Sequence, residues 1–148
     1  IYFAAHGSEQ GIYGSNDEEI STTKLTNIIK ATNDGRGKLD SIYFGSCSFG
    51  NSKNLEKLLL SAEGEQIRWI AGYTKDVDFV KSTALDAIFW HEYIEAKYDK
   101  YGKQLSTLNR IELVCEEIKR QANGLAKELG FKVIAYNAKR ASSICELI

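Results

Sequence analysis

Apolar positions along the chain fall into short continuous runs, separated by stretches in which they recur every three or four residues. The continuous runs are rich in Ile, Val, Tyr and Phe and predict strands. They cover residues 1–4, 39–44, 67–73 and 131–137. The pair Ile12-Tyr13 between glycines predicts a short hairpin arm or loop, and the turn residues at 33–37 predict a loop.

The stretches between the strands have helical spacing and begin at residues that cap helices well. Helices are predicted from Ser21 or Thr22 to about residue 31, from Ser52 onward, over about 78–97 and over 107–129. Strands therefore alternate with helices, and the strands themselves are almost wholly apolar. This pattern predicts an α/β fold with a mainly parallel sheet and helices on both of its faces.

Length and charge limit the function of the chain. Its 148 residues make about one domain, so 1–148 is interpreted as a single domain. The chain is 43% apolar and 26% charged, with a formal net charge of -1 and no basic stripe. These values argue against nucleic acid or a membrane surface as a partner. No apolar run approaches the ~20 residues that cross a bilayer, and no secretory signal is visible.

The start of the chain and its cysteines add two expectations. The chain begins in mid-strand at Ile1 and contains no methionine, so we expect it to be part of a longer protein. Its three cysteines, Cys47, Cys115 and Cys145, are odd in number and form no C-x-x-C motif. That usage favours a reducing compartment, here the cytoplasm. The cysteines and histidines lack metal-ligand spacing, and no cofactor motif occurs, so neither a metal nor a cofactor is expected.

Two of the predicted strands contain the same triplet and are followed by residues that can do chemistry. The first reads IYFAAHG and contains His6, and the second reads IYFGSCS and contains Cys47. Each of these residues lies three positions after its Ile-Tyr-Phe triplet. Ligands in open parallel sheets bind beyond the carboxyl ends of the strands. If the two strands are neighbours in the same register, imidazole and thiol meet at one edge of the sheet.

This pair suits nucleophilic catalysis. The thiolate is the reactive form of cysteine, and an adjacent imidazole can take its proton and later protonate a leaving amine. The N–H groups of Gly7 and Cys47 are candidate oxyanion-hole donors. Small residues around Cys47 leave room for a peptide carbonyl. The alternative is that Cys47 is a packed small apolar residue and His6 a turn residue.

The His-Gly strand end and the later cysteine with small neighbours resemble the caspase-like cysteine peptidases, nearest to bacterial CHAT and separase-type domains. The segment IRWIAGYTKDVDF with ALDAIFWHEYI extends the resemblance, which covers residues 1–94. It implies a three-layer caspase-like fold with its first strand upstream of Ile1. It also implies a cysteine endopeptidase with His6 as general base and acid and Cys47 as nucleophile, acting on a protein or peptide substrate.

The resemblance further implies that the loop after the third strand helps to bind the residue before the cut bond, P1. In this chain that loop offers Tyr73, Asp76 and Asp78. A carboxylate there favours Arg or Lys at P1, although Asp76 or Asp78 as a helix cap is an equal alternative. Such domains are often fused to, or paired with, sensor or repeat domains and are activated by a partner or ligand, as in bacterial defence.

Two other functions remain open from the residues alone. One is a catalytically inactive caspase-like domain that serves in interaction or regulation. The other is an unrelated flavodoxin-like binding domain in which His6 and Cys47 occur by chance. The first differs from an enzyme in its reactivity towards peptidyl electrophiles. The second predicts that the two side chains lie on separated strands or opposite faces of the sheet.

Overall fold

The computed structural model describes residues 1–33, 39–61, 67–137 and 144–148. Within them the chain forms a mixed α/β fold with four helices, a larger, mostly parallel sheet and a smaller antiparallel sheet. None of the helices in these residues combines the length and the apolar character that a membrane crossing requires. The loop expected at 33–37 lies, apart from its first residue, outside the described residues.

The elements have the following bounds. The strands of the larger sheet are β1 (Tyr2–Phe3), β5 (Ser41–Phe44), β6 (Trp69–Tyr73), β7 (Phe131–Tyr136) and β8 (Ile144–Glu146). The smaller sheet consists of β2 (His6–Gly7), β3 (Gly11–Tyr13) and β4 (Glu19–Ser21). The helices are α1 (Thr22–Asn33), α2 (Ser52–Ser61), α3 (Phe79–Glu95) and α4 (Thr107–Leu129).

The larger sheet has the strand order β1-β5-β6-β7-β8 within the described residues. Strands β1, β5 and β6 run parallel to one another, as the sequence predicts. Strand β7 instead runs antiparallel to β6, and β8 runs antiparallel to β7. Helices α3 and α4 lie between β6 and β7 as an antiparallel helical pair, which returns the chain to the end of the sheet where β6 finishes.

Alternate side chains of the strands supply two separate cores. On one face Tyr43, Trp69 and Phe131 pack with residues of α3 and α4. On the other face Ile42 and Ile70 pack with residues of α1 and α2. Because successive residues of a strand point to opposite faces, an almost wholly apolar strand fits only between two layers of helices. Helices on both faces are therefore confirmed.

The long helices begin and end where their sequences predict. Asp78 caps α3 by accepting a hydrogen bond from the Lys81 N–H at 2.9 Å. Ser106 caps α4 in the same way through the Asn109 N–H at 3.2 Å. Helix α4 ends at Gly130, which adopts the left-handed conformation with φ 63°, one that costs glycine little. Inside α4 the backbone of Ala122 is not helical, with a φ of -136°.

The smaller sheet is the main feature that the hydrophobic pattern misses. Only Ile12-Tyr13 indicates a hairpin in the sequence, whereas the structure contains a meander β2-β3-β4. Its strands have two or three residues, too few to show a period. This sheet carries His6 and Gly7, so it bears directly on the site.

The close approach of Gly50 to strand β6 predicts that one added methyl group has a large effect on stability. A Cβ at Gly50 would collide with the backbone of Gly72 and Tyr73 in β6. We expect Gly50→Ala to lower the free energy of unfolding by about 1–3 kcal/mol, because backbone atoms of a central strand have to move. Urea unfolding followed by circular dichroism measures this change.

The matched control is Gly124→Ala in α4, where a Cβ meets nothing within 4 Å. That substitution is expected to raise the free energy of unfolding by up to about 1 kcal/mol, because alanine favours a helix over glycine. Equal effects of the two substitutions would contradict the close approach of Gly50 to β6.

Candidate functional site

The two Ile-Tyr-Phe triplets pair with each other in the same register. Tyr2 lies opposite Tyr43 and Phe3 opposite Phe44 in the parallel pair β1–β5. The Tyr43 N–H donates to the Ile1 carbonyl at 2.8 Å, and the Gly45 N–H donates to the Phe3 carbonyl at 2.9 Å. The Phe3 and Phe44 rings stack with centroids 5.2 Å apart. The expectation of neighbouring strands that end level is therefore confirmed.

Beyond Phe3 the chain leaves the larger sheet and enters the hairpin β2–β3. His6 lies in β2 opposite Tyr13, and its side chain is exposed. The hairpin closes through the Ser8 N–H, which donates to the Gly11 carbonyl at 2.9 Å. The Ser8 hydroxyl oxygen accepts from the Gly11 N–H at 3.3 Å. A short, closed hairpin thus fixes the backbone that carries the imidazole.

The His-Gly motif and the cysteine motif touch at Gly7. A Cβ at Gly7 would lie 2.5 Å from the Cys47 carbonyl oxygen and 2.8 Å from the Ser46 Cβ. Only a residue without a side chain permits this approach. Gly7 therefore brings the backbone after His6 against the backbone of Cys47.

A tight turn that begins at Cys47 is held by the loop after β6. Ser48 has a positive φ of 56°, which is uncommon for a residue with a side chain. Its N–H donates to the Lys75 carbonyl at 2.9 Å, and its hydroxyl donates to Asp76 at 2.8 Å. The Gly50 N–H donates to the Tyr73 carbonyl at 2.7 Å. These bonds fix the turn and with it the position of the half-buried Cys47.

His6 and Cys47 line the same cleft, which has a volume of about 410 Å³. The strand ends provide one part of its wall, and the loop and first turns of α3 provide the rest. The residues that line it are Tyr2, Ala4, Ala5, His6, Gly45, Cys47, Val77, Phe79, Ser82, Thr83 and Asp86. Parallel pairing thus places an imidazole and a thiol on the wall of one cleft.

Two backbone N–H groups in this region, those of Gly7 and Cys47, are not used in the backbone hydrogen bonds of the described residues. Hydrogen-bonded and non-bonded pairs alternate in an antiparallel hairpin. Ser8 bonds Gly11, so the next pair, Gly7 with Ile12, is non-bonded and the Gly7 N–H points away from β3. The Cys47 N–H donates to no backbone carbonyl of the described residues. Both predicted oxyanion donors are therefore unused by these backbone bonds.

Asp86 of α3 adds a carboxylate to the cleft. Its Oδ1 accepts hydrogen bonds from the hydroxyls of Tyr43 and Tyr73, and its Oδ2 accepts from the Tyr2 hydroxyl at 2.7 Å. Tyr2 and Tyr43 are register partners, so the shared triplet points both hydroxyls to the same face of the sheet. The tyrosines hold the carboxylate in one orientation.

These contacts change the acidity of the tyrosines. Burial raises the pKa of Tyr43 well above its ordinary value, and the neighbouring Tyr73 and Asp86 raise it further. Burial and then Asp86 likewise raise the pKa of Tyr73 and of Tyr2. Each phenol therefore stays protonated and remains a donor to the carboxylate over the whole neutral range.

The structure does not bring the predicted P1 residues to the cleft wall. Tyr73 is fully buried, with its hydroxyl on Asp86. Asp78 caps α3, which is the alternative that the sequence left open. Asp76 accepts from the Ser48 hydroxyl and so supports the turn after Cys47. Their predicted contact with substrate thus has no support from their positions, whereas Asp86 does line the cleft.

Asp86 is the cleft residue that sequence reasoning missed. One signal was present, because Asp86 interrupts a helix whose neighbouring positions Leu85 and Phe89 are core residues. The tyrosine repeated in both triplets was a second signal. Neither signal reveals that the three elements meet, since their contact depends on how α3 crosses the sheet. Among the described residues, no three His, Cys, Asp or Glu side chains form a group suited to a metal ion.

Because Gly7 lies against the Cys47 turn, we expect Gly7→Ala to disturb both the His-Gly motif and the cysteine motif. We expect the free energy of unfolding to fall by about 1–3 kcal/mol, because the new Cβ overlaps backbone of the Cys47 turn. Urea unfolding measures the change. Gly14→Ala is the control, since a Cβ there meets only the Glu18 carbonyl oxygen at 3.9 Å. A Gly7 variant as stable as the Gly14 variant would contradict the contact.

The raised pKa of Tyr73 predicts a loss of stability in alkali. Above pH 10, its ordinary value, the unfolded chain releases a phenolic proton that the folded chain retains. Stability is full below pH 10 and falls above it, by about 1.4 kcal/mol per pH unit for each such proton. We expect Tyr73→Phe to reduce this slope in urea unfolding between neutral and alkaline pH. An unchanged slope in Tyr73→Phe would contradict the burial of its hydroxyl on Asp86.

Comparison with known proteins assigns neither a family nor a function to this site. No family model matches the chain, and no curated protein matches it. The likeness to caspase-like peptidases therefore stays a prediction from the His-Gly and cysteine motifs. Any function of the chain has to be inferred from the cleft that contains His6 and Cys47.

Proposed function

We propose that the chain is a cysteine endopeptidase with a His-Cys dyad of the caspase-like kind. The observation that carries this proposal is the level pairing of β1 with β5, which places His6 and Cys47 on one cleft. Exposure of His6 and partial exposure of Cys47 leave both side chains open to a substrate. The rigid turn after Cys47 and the closed hairpin after His6 fix the backbones that carry them.

The roles follow from the chemistry of the two groups. His6 takes the proton of the Cys47 thiol, and the sulfur attacks the carbonyl carbon of the substrate peptide bond. The oxyanion that forms accepts hydrogen bonds from the N–H groups of Gly7 and Cys47, and such a donor contributes about 3 kcal/mol. The C–N bond then breaks, and His6 gives its proton to the leaving amine. Water, with His6 again as base, releases the acyl group from sulfur.

Two glycines let the strand ends that carry His6 and Cys47 approach each other. Gly45 precedes Cys47 by two positions, and a Cβ there would collide with the Tyr2 hydroxyl. A larger residue at Gly45 would displace the Tyr2 ring, and a larger residue at Gly7 would displace the Cys47 turn. Cys47 itself is only half-buried, which supports a reactive thiol rather than a core residue.

The two alternative functions differ from the peptidase in the strand arrangement or the reactivity that they predict. A flavodoxin-like domain with a chance His and Cys is favoured by separated strands, whereas β1 and β5 are neighbours. An inactive domain of the same fold has the same geometry, so reactivity has to distinguish it. The thiols of Cys47 and Cys115 are free, in keeping with the proposed cytoplasmic setting. Activation by a partner or ligand belongs to the same proposal and comes from the resemblance.

Enzymatic function predicts that labelling by a peptidyl chloromethyl ketone requires both members of the dyad. We expect Cys47→Ala to abolish labelling and cleavage of a peptide library. We expect His6→Ala to lower kcat/KM by about 10²- to 10⁴-fold, because the thiol loses its base. Mass spectrometry identifies the labelled residue, and a fluorescent peptide library measures cleavage.

Two matched variants control for the general effect of losing a side chain. His91 is exposed on α3, and Cys115 is buried in α4 with its pKa raised by burial to about 12. His91→Ala and Cys115→Ala should label and cleave like the unchanged protein. Cleavage that survives in Cys47→Ala would remove the proposed enzyme and favour a binding or regulatory domain.

A further inference from the structure

We propose that Asp86, together with Tyr2 and Thr83, forms a pocket for the ammonium group of a lysine at P1. The inference rests on the proposed peptidase function and deepens it, because it names the substrate side chain and the residue that selects it. Asp86 is half-buried and lines the same cleft as His6 and Cys47. It was not among the P1 residues that the sequence indicated.

Charge in the cleft favours a cation. Asp86 is the one Asp or Glu among the described residues that line it, and no Lys or Arg of the described residues does so. The nearest lysines in sequence are engaged elsewhere. Lys81 pairs with Glu128, and the Lys75 ammonium lies 3.4 Å from the carbonyls of Lys127 and Glu128 at the end of α4. Neither lysine neutralises the carboxylate from inside the cleft.

The cleft walls fit the stem of such a side chain. Val77 and Phe79 lie on the α3 side, and Ala4 and Ala5 lie on the side of the strand ends. Lysine buries its methylene stem against apolar surface and keeps the charged head at a polar partner. Apolar walls that lead to a single carboxylate therefore match lysine better than a short acidic or a neutral polar residue.

Several hydrogen-bond acceptor positions at and around Asp86 receive no donor from the described residues. Two tyrosine hydroxyls occupy both acceptor positions of Oδ1, whereas Oδ2 accepts only from Tyr2 among the described residues and keeps one free. The Tyr2 oxygen gives its proton to Asp86 and retains its own lone pairs. Thr83 donates to the Phe79 carbonyl at 2.7 Å and likewise retains its lone pairs. Thr83 and Asp86 lie three residues apart, on one face of α3.

This arrangement distinguishes lysine from arginine. An ammonium offers three donors from one point, and Oδ2 of Asp86 with the hydroxyl oxygens of Tyr2 and Thr83 offers three acceptors. A guanidinium binds a carboxylate best through two parallel bonds, one to each oxygen. The hydroxyls of Tyr43 and Tyr73 already fill Oδ1, so the second bond cannot form. We therefore expect lysine to be preferred over arginine.

Three peptidyl acyloxymethyl ketones test the pocket, with lysine, norleucine or arginine at P1. Norleucine has the stem of lysine without the ammonium. We expect the rate of Cys47 labelling to be at least about tenfold higher with lysine than with norleucine, the effect of one charged hydrogen bond. The arginine probe should react more slowly than the lysine probe. Mass spectrometry of the Cys47 peptide gives the rates.

Variants of Asp86 and Thr83 test which residue determines the selectivity for lysine. In Asp86→Asn the lysine-to-norleucine rate ratio should fall about tenfold or more, and in Thr83→Val it should fall by a smaller factor. A ratio taken within one variant does not depend on how much of that variant is folded. Asp78→Asn is the matched control, because Asp78 does not line the cleft and asparagine caps a helix about as well as aspartate. It should keep the ratio of the unchanged protein.

Three other results would each contradict one part of the proposal. Equal labelling by the lysine and norleucine probes, or an unchanged ratio in Asp86→Asn, overturns the pocket and leaves the peptidase standing. Faster labelling by the arginine probe overturns the acceptor geometry on which the lysine preference depends. Labelling by none of the probes, while iodoacetamide still modifies Cys47, overturns the peptidase itself.

Discussion

Parallel pairing of two identical triplets determines most of what this chain places in its cleft. The backbone bonds between β1 and β5 align Tyr2 with Tyr43 and Phe3 with Phe44. A shift of one residue would turn every side chain of β1 to the opposite face. It would separate the stacked phenylalanines and remove the Tyr2 hydroxyl from Asp86. The same register sets the level at which both strands end, and hence the common position of His6 and Cys47 on the cleft.

Three glycines near Cys47 are as important for the packing of this region as the side chains around them. Gly7 lies against the Cys47 backbone, Gly45 lies under the Tyr2 ring, and Gly50 lies against β6. At each position a Cβ would overlap atoms that belong to a strand, an aromatic ring or a tight turn. These contacts make the turn after Cys47 part of the packed sheet rather than a surface loop. In the proposed peptidase, this turn keeps the Cys47 thiol in position relative to the substrate.

Asp86 contributes to the packing of α3 on the sheet and is also the carboxylate of the proposed lysine pocket. The hydroxyls of Tyr2, Tyr43 and Tyr73 satisfy most of its acceptor positions, which makes a half-buried carboxylate tolerable. Asp86 also lines the cleft that holds His6 and Cys47. A carboxylate oriented in advance by three donors loses little freedom when it binds a cation. In the proposed lysine pocket, the cluster that holds α3 against the sheet also selects the substrate side chain.

The sequence by itself determined the four helices, the three parallel strands and the position of His6 and Cys47 at neighbouring strand ends, because each depends on local periodicity or on a repeated motif. The tertiary structure alone decided the small sheet of β2, β3 and β4, whose strands are too short for a period. It also decided that β7 runs antiparallel, since an apolar strand carries no sign of direction. Asp86 entered the cleft only through the packing of α3 on the sheet. Contacts between residues distant in sequence depend on the geometry of packed elements, and no local pattern encodes them.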